Sequence, residues 1–256
     1  MKFVLNTRTM TNATLGQFFT TFAYIVGAIV LWCDLRRRNM ATEGLGLIAV
    51  WALCGGVLGA KVTEWILVHP LYFAGQPLQF LDPRQGGRTV IGGILFGWLF
   101  VEIAKRKLGV RRSTGDSFAL ALPLGEAVGR IGCLFNGCCY GVVCESSTRW
   151  AMWQHGAWRF PTQMMLSLAS LLIFLVVLWV RPRLPREGDA WILYLALFGG
   201  SRFVIEFWRE RTALIGVWSL AQIVCLLLAT MSTRWLWAHW REKSTISPEK
   251  IEWKAV

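Results

Sequence analysis

Three stretches of this chain run without a charged residue for as long as a bilayer is thick: Thr9 to Cys33, Phe160 to Val180 and Thr212 to Thr233. Roughly 20 apolar residues carry a helix across a hydrocarbon core. Backbone at that depth must satisfy its own hydrogen bonds, so runs of this kind fold as helices. Composition agrees, at 55% hydrophobic, 16% charged and a mean hydropathy of +0.46, which excludes both a soluble globular and a disordered chain. Four weaker runs, about Gly44 to His69, Val90 to Ala104, Ser117 to Phe135 and Ala190 to Trp208, bring the expected spans to seven. The fold class read from this pattern is an all-α integral membrane protein. It forms one transmembrane domain over residues 1–256, with a polar N-terminal segment at 1–15 and a tail at 237–256.

Turn-rich or basic connections separate the spans, among them RRRNMATE from Arg36, KRKLGVRRSTGD from Lys105 and RPRLPREGD from Arg181. No internal repeat is visible. The formal net charge of +12 does not point to nucleic acid, because the basic residues are scattered between apolar runs instead of forming a basic domain. They act as topology signals. Sixteen Lys and Arg fall on the face holding the loops from Arg36, Lys105 and Arg181 and the tail from Arg234; eight fall on the other. Positively charged short loops stay in the cytoplasm, which places the N-terminus outside and the C-terminus inside. The start, MKFVLNTRTMTNATLGQ, lacks a short apolar core followed by a small-residue cleavage site, so no cleavable signal is expected.

Lys61, Arg130 and Arg202 fall within spans. A charge at bilayer depth costs about 2.5 to 3.5 kcal/mol even on insertion scales, which makes such residues candidates for function. Each has an acidic neighbour at helical spacing: Lys61 and Glu64 at i, i+3, Glu126 and Arg130 at i, i+4, Arg202 and Glu206 at i, i+4. Mutual neutralisation within a bundle is one reading of these pairs. The other is an anion site, since two arginines from different spans converging on one phosphate would each offer a planar fork of donors. A phospholipid headgroup fits that description.

Around Arg130 the chain reads LGEAVGRIGCLFNGCCYG, with glycines at 125, 129, 132, 137 and 141. Glycines at such density serve close helix approach, tight turns or backbone contact with a ligand. The segment GRIGCLFNGCCYG resembles the signature of the bacterial prolipoprotein diacylglyceryl transferases, Gly-Arg-x-Gly-Asn-x-x-Asn-x-Glu-x-x-Gly. LGAKV at Leu58, GGRTVIGG at Gly86 to Gly93, FPTQ at Phe160, SRFVIEFWRE at Ser201 to Glu210 and GVWSLAQ at Gly216 follow the family order as well. The resemblance covers roughly Gly16 to Leu236. It implies an inner-membrane, multi-pass enzyme without a cofactor. Such an enzyme transfers the diacylglyceryl group of phosphatidylglycerol to the lipobox cysteine thiol of a prolipoprotein and releases glycerol phosphate.

By that resemblance Arg130, Arg202 and Glu206 are the catalytic candidates, and Asn136, Gly141, Gly92, Gly93 and Glu126 the substrate-binding ones. The departures are specific. Ile91 stands where the family has the histidine of its His-Gly-Gly motif, Cys133 replaces the first signature asparagine and Cys138 its glutamate. Phe198 replaces a tyrosine, and Lys61 an arginine. The residues kept are those suited to holding an anionic phospholipid; those lost are where a proton acceptor for an incoming thiol is expected. The acceptor is therefore a lipobox cysteine or another thiol.

Cys133, Cys138, Cys139 and Cys144 have the spacing C-x4-C-C-x4-C, without the C-x2-C hairpins of structural zinc sites, so no metal is expected. A disulfide from Cys138 or Cys139 to Cys144 is one reading, and a nucleophilic or acid/base Cys138 beside Arg130 is another. Cys33, Cys54 and Cys225 lie in apolar runs as small hydrophobes. Of the histidines, His155 alone lies where it could replace the missing base. Two other functional classes remain. A transporter is expected to carry repeats or broken helices in matched positions, neither of which is visible. A non-catalytic lipid-binding relative differs from an enzyme only in turnover.

Overall fold

The computed structural model describes residues 3–4, 10–40, 44–65, 89–210 and 218–245. Its helices are α1 (Met10–Arg37), α2 (Leu45–Thr63), α3 (Val90–Leu108), α4 (Gly115–Phe135), α5 (Thr162–Val180), α6 (Asp189–Ile205) and α7 (Leu220–Thr245). Seven helices were expected and seven are described. All but α3 are long and apolar enough to cross a membrane. α3 carries Glu102, Lys105, Arg106 and Lys107 in its last two turns, which interrupts its apolar length.

The seventh span was expected over Thr212 to Thr233, whereas α7 begins at Leu220. Its start is fixed by a capping box that hydropathy does not register. The Ser219 amide donates to Gln222 Oε1 at 3.0 Å, and the Gln222 amide to Ser219 Oγ at 3.2 Å. Together they satisfy two of the amides a helix leaves unpaired at its N-terminus. Residues 66–69 of the second expected span and 212–217 of the seventh lie outside the described residues.

The chain packs as two compact units, Leu35–Arg112 and the remainder, Met1–Asp34 with Ser113–Val256. In the first, α2 and α3 approach through small residues. A Cβ on Gly59 would meet the Gly92 carbonyl at 2.4 Å, and one on Gly92 would meet Thr63 Oγ1 at 2.0 Å. Gly92 and Gly93, expected to contact substrate, here let two helices close on each other. In the second unit α1 packs on α4 in the same way: a Cβ on Gly132 would lie 2.9 Å from the Gly16 carbonyl, and one on Gly125 3.2 Å from that of Ala23. Close backbone approach is how membrane helices gain contact without a hydrophobic drive between them.

The second unit is polar inside and apolar outside. Phe18, Ile29, Leu168, Leu172, Trp179 and Leu227 are exposed, whereas Arg130, Gln154, Thr162, Gln163, Ser170, Arg202 and Glu206 are buried. That inversion fits a bundle solvated by lipid. At one end Arg181 forks onto Asp34, Nη1 to Oδ1 at 2.5 Å and Nη2 to Oδ2 at 3.0 Å, and Ser117 Oγ donates to Asp34 Oδ2 at 2.5 Å. One carboxylate on α1 thus ties the start of α4 to the end of α5.

The connection from Gly141 to Arg159 contains a hairpin of β2 (Met152–Gln154) and β3 (Ala157–Arg159). A two-residue strand β1 (Phe3–Val4) pairs parallel to β2. His155 and Gly156 form the two-residue turn, with φ of 49° and 75°. Positive φ at both positions is the turn type that matches hairpin twist. Trp153 and Trp158 face each other across the strands with ring centroids 5.5 Å apart.

Candidate active site

Two buried arginines, each seated on its own carboxylate, form the centre of the second unit. On α4, Arg130 donates Nε at 3.1 Å and Nη2 at 2.7 Å to the same Glu126 oxygen, Oε1. Ser170 Oγ on α5 donates to the other, Oε2, at 3.1 Å, so the carboxylate is fixed from two helices. On α6, Arg202 Nη2 lies 3.3 Å from Glu206 Oε2, and Arg209 Nη1 lies 3.5 Å from that same oxygen. These are looser pairs. Arg202 Nη1 is buried and has no hydrogen-bond partner among the described residues. A buried N–H on a cation without an acceptor is costly, and its cost is relieved by an anionic ligand.

The two guanidinium groups are close enough for their charges to interact, as are Arg202 and Glu126. The fold therefore brings together the four expected residues Glu126, Arg130, Arg202 and Glu206. Helical spacing alone accounts for each pair, but only the packing of α4 against α6 makes one site of the two. Sequence reading missed Tyr194. It is buried, stands two turns before Arg202 on the same face, and lies within the electrostatic reach of Glu126 and Arg130. Its ring lies tilted against that of Phe198, with centroids 5.7 Å apart. Spacing 194, 198, 202 at steps of four was the available signal.

After α4 the chain turns through Asn136, Gly137, Cys138 and Cys139. The Gly137 amide donates to the Leu134 carbonyl at 3.2 Å and the Cys138 amide to that of Cys133 at 3.1 Å, with Gly137 at φ 63°. This is a Schellman closure, in which only the residue after the cap needs the left-handed region and glycine adopts it without strain. It folds Cys138 back onto the last turn of α4. Cys139 then also takes a positive φ, of 60°. Two residues at the start of α5 hold this turn: Thr162 Oγ1 donates to the Cys139 carbonyl at 2.8 Å and Gln163 Nε2 to that of Cys138 at 2.9 Å. Gln163 also donates to Gln154 Oε1 of the hairpin at 3.1 Å. The FPTQ stretch is thus the clamp on the cysteine turn.

Asn136 ends α4 with its side chain against Gly16 of α1, where a Cβ would fall 2.1 Å from Asn136 Oδ1. Gly141 sits where three segments cross. Its amide donates to the Phe160 carbonyl at 3.1 Å, the next amide to that of Trp208 at 2.9 Å, and Arg159 Nη1 reaches the Gly141 carbonyl at 3.2 Å. His155 at the hairpin tip is exposed; its Nε2 donates to the Gly137 carbonyl at 2.7 Å, and its ring lies 4.5 Å from that of Tyr140.

The Sγ atoms of Cys133, Cys138 and Cys139 all lie within 4.8 Å of one another. Hydrogen bonds with Cys133 and Cys138 hold the Cys139 thiol well below its ordinary range, with Arg209 and Arg130 adding to the effect. Hydrogen bonds with Cys133 and Cys139 push Cys138 up. All seven cysteines are free thiols, so the disulfide expected from Cys138 or Cys139 to Cys144 is not formed. Cys144 is carried away by backbone pairing, its amide donating to the Trp158 carbonyl at 2.8 Å.

A sequence model of the family described as prolipoprotein diacylglyceryl transferase matches residues 16–238. A phosphatidylglycerol-prolipoprotein diacylglyceryl transferase of Idiomarina loihiensis is 31% identical over 204 residues, covering 78% of this chain and 75% of that protein. One of the same name from Methylibium petroleiphilum is 28% identical over 232 residues, covering 86% and 88%. Another from Clostridioides difficile is 27% identical over 207 residues, covering 79% and 81%.

Proposed function

The chain belongs to the prolipoprotein diacylglyceryl transferase family, and on that premise we propose that it moves the diacylglyceryl group of phosphatidylglycerol onto the cysteine thiol of a prolipoprotein. The observation that carries the proposal is the unpartnered, buried Nη1 of Arg202, within electrostatic reach of the anchored guanidinium of Arg130. A phosphodiester headgroup supplies the acceptor oxygens such a pair lacks. The whole chain acts as one enzyme domain in the bacterial inner membrane, with its N-terminus outside. Nucleic acid has no part in it.

In the reaction the acceptor sulfur bonds to the diacylglyceryl carbon as the bond from that carbon to the phosphate oxygen breaks. The electron pair leaves on glycerol phosphate. Negative charge therefore grows on the leaving phosphate, where donors fixed in a site of low dielectric stabilise the transition state more than the ground state. Arg130 and Arg202 are those donors. Glu126 and Glu206 orient them, Asn136 fixes the end of α4, and Gly141 permits the close crossing of segments beside it, as Gly92 and Gly93 permit the close packing of α3 on α2. Ile91 has no proton-accepting atom, so the thiol proton leaves by a route other than the family histidine.

The test is turnover of headgroup-labelled phosphatidylglycerol by the purified full chain with a lipobox peptide. Release of labelled glycerol phosphate with appearance of a thioether on the peptide is expected. Binding of the lipid without release identifies a non-catalytic lipid-binding protein instead. Release with a small thiol but not with the peptide identifies a transferase for another acceptor.

A further inference from the structure

We propose that Cys133, Cys138 and Cys139 form a three-thiolate site for one thiophilic divalent cation of the zinc class, with the fourth position open to the acceptor thiol. The inference rests on the transferase reading only for the identity of that fourth ligand.

Spacing alone argued against a metal, because Cys133 and Cys138 are five residues apart and Cys139 is the next. The Schellman closure removes the objection. Its amide of Cys138 bonded to the Cys133 carbonyl at 3.1 Å lays the two residues side by side, and the positive φ of Cys139 turns a third thiol back toward them. The three sulfurs then lie within 4.8 Å of one another. Sulfurs about 2.3 Å from a tetrahedral zinc are roughly 3.8 Å apart, so a small inward adjustment suffices. The backbone behind them is held by Thr162 and Gln163, at 2.8 and 2.9 Å from the Cys139 and Cys138 carbonyls. Ligands held from behind are the usual condition for tight metal binding.

Among the described residues no fourth His, Cys, Asp or Glu joins the three. His155, the nearest histidine in sequence, spends Nε2 on the Gly137 carbonyl at 2.7 Å. Structural zinc sites are closed by four protein ligands, whereas sites with three keep a position for an exogenous ligand. Three thiolates on a divalent cation leave one net negative charge. Arg130 and Arg209 lie within electrostatic reach of Cys139, and Arg130 within that of Cys133, so cations compensate it. The same arginine that grips the phosphate thus borders the proposed metal.

The site accounts for the missing base. An acceptor thiol that binds the cation does so as thiolate, giving its proton to water. Its sulfur then bonds to the diacylglyceryl carbon while the carbon–oxygen bond breaks and glycerol phosphate leaves with the electron pair. No oxidation state changes.

The experiment uses the full chain purified in detergent under reducing conditions and loaded with Zn²⁺ or Co²⁺ alone, then freed of excess metal. Expected are about one metal per chain by elemental analysis and three sulfurs at about 2.3 Å by X-ray absorption on the zinc form. Loss of nearly all bound metal is expected in Cys133→Ser, Cys138→Ser and Cys139→Ser, with full retention in Cys144→Ser. A single-cysteine peptide should shift the visible bands of the cobalt form and raise the sulfur count to four. The proposal is overturned by three countable free thiols with less than about a tenth of a metal per chain, by a disulfide among the three, or by an unshifted cobalt spectrum. The absorption measurement on the parent chain decides even where a serine variant misfolds. Metal bound in this way without glycerol phosphate release would sink the transferase reading alone; release by metal-free protein would sink the metal alone.

Discussion

Arg202→Lys keeps a positive charge near Glu206 and removes the planar fork, so it isolates the geometric part of the phosphate clamp. In the parent, Nη2 lies 3.3 Å from Glu206 Oε2 while Nη1 is buried without a partner. The two nitrogens divide the work, one held by the protein and one left for ligand. A lysine has a single nitrogen on a flexible stem and serves one role at a time. The expected loss is one charge-assisted hydrogen bond to the leaving phosphate, about 1.5 to 3 kcal/mol. At about 1.36 kcal/mol per tenfold, that is roughly 10- to 150-fold in kcat/KM. Stability should change little, because Arg209 stays 3.5 Å from Glu206 and the carboxylate keeps a cation. Arg202→Ala removes both contacts and should lose more than about 100-fold. The assay is release of labelled glycerol phosphate from phosphatidylglycerol in mixed micelles, at matched protein and with thermal midpoints compared. Turnover by the lysine variant within about twofold of the parent would falsify the fork.

Gly141→Ala places a methyl group 2.4 Å from the Phe160 carbonyl and 2.7 Å from that of Trp208; overpacking of this kind should cost about 1 to 3 kcal/mol, read as a lower thermal midpoint of the detergent-solubilised chain. Asp34→Ala removes the carboxylate that holds Arg181 and accepts from Ser117 and should destabilise by about 3 to 5 kcal/mol, whereas the double variant Asp34→Ala, Arg181→Met should recover part of that loss; equal midpoints for the single and double variants would show the pair is not coupled. Thr162→Val removes the donor to the Cys139 carbonyl and should cost about 1 to 3 kcal/mol, with faster alkylation of the cysteine turn by a maleimide as the site-specific readout. Expression of the Cys138→Ser variant in cells depleted of their own transferase should restore lipoprotein modification only weakly, because Ile91 accepts no proton and the acceptor thiol then has no metal to bind; complete growth rescue by that variant at native expression would show that the acceptor half needs neither.

The sequence by itself determined what depends on near neighbours and on solvent. Charge-free runs longer than a bilayer is thick leave a chain no alternative to helices, and the pairs Glu126 with Arg130 and Arg202 with Glu206 meet because one helical turn brings residues four apart onto one face. The cap Ser219 with Gln222 was equally local, and was passed over because hydropathy does not register hydrogen bonds. Tertiary structure decided everything that joins distant residues. Nothing near Thr162 or Gln163 indicates that they clamp carbonyls more than 20 residues away, nor does Asp34 announce an arginine 147 positions on. Gly92, Gly93 and Gly141, read as substrate contacts, each lie where another backbone comes close, a second use of a missing side chain that only the packing partner reveals. The three thiols show the same division. Their spacing fits no closed metal motif, but the end of α4 folds back on itself and sets Cys133, Cys138 and Cys139 around one point. Sequence gives the order of groups along a chain, and chemistry requires their distances in space, which loop closure and packing alone assign.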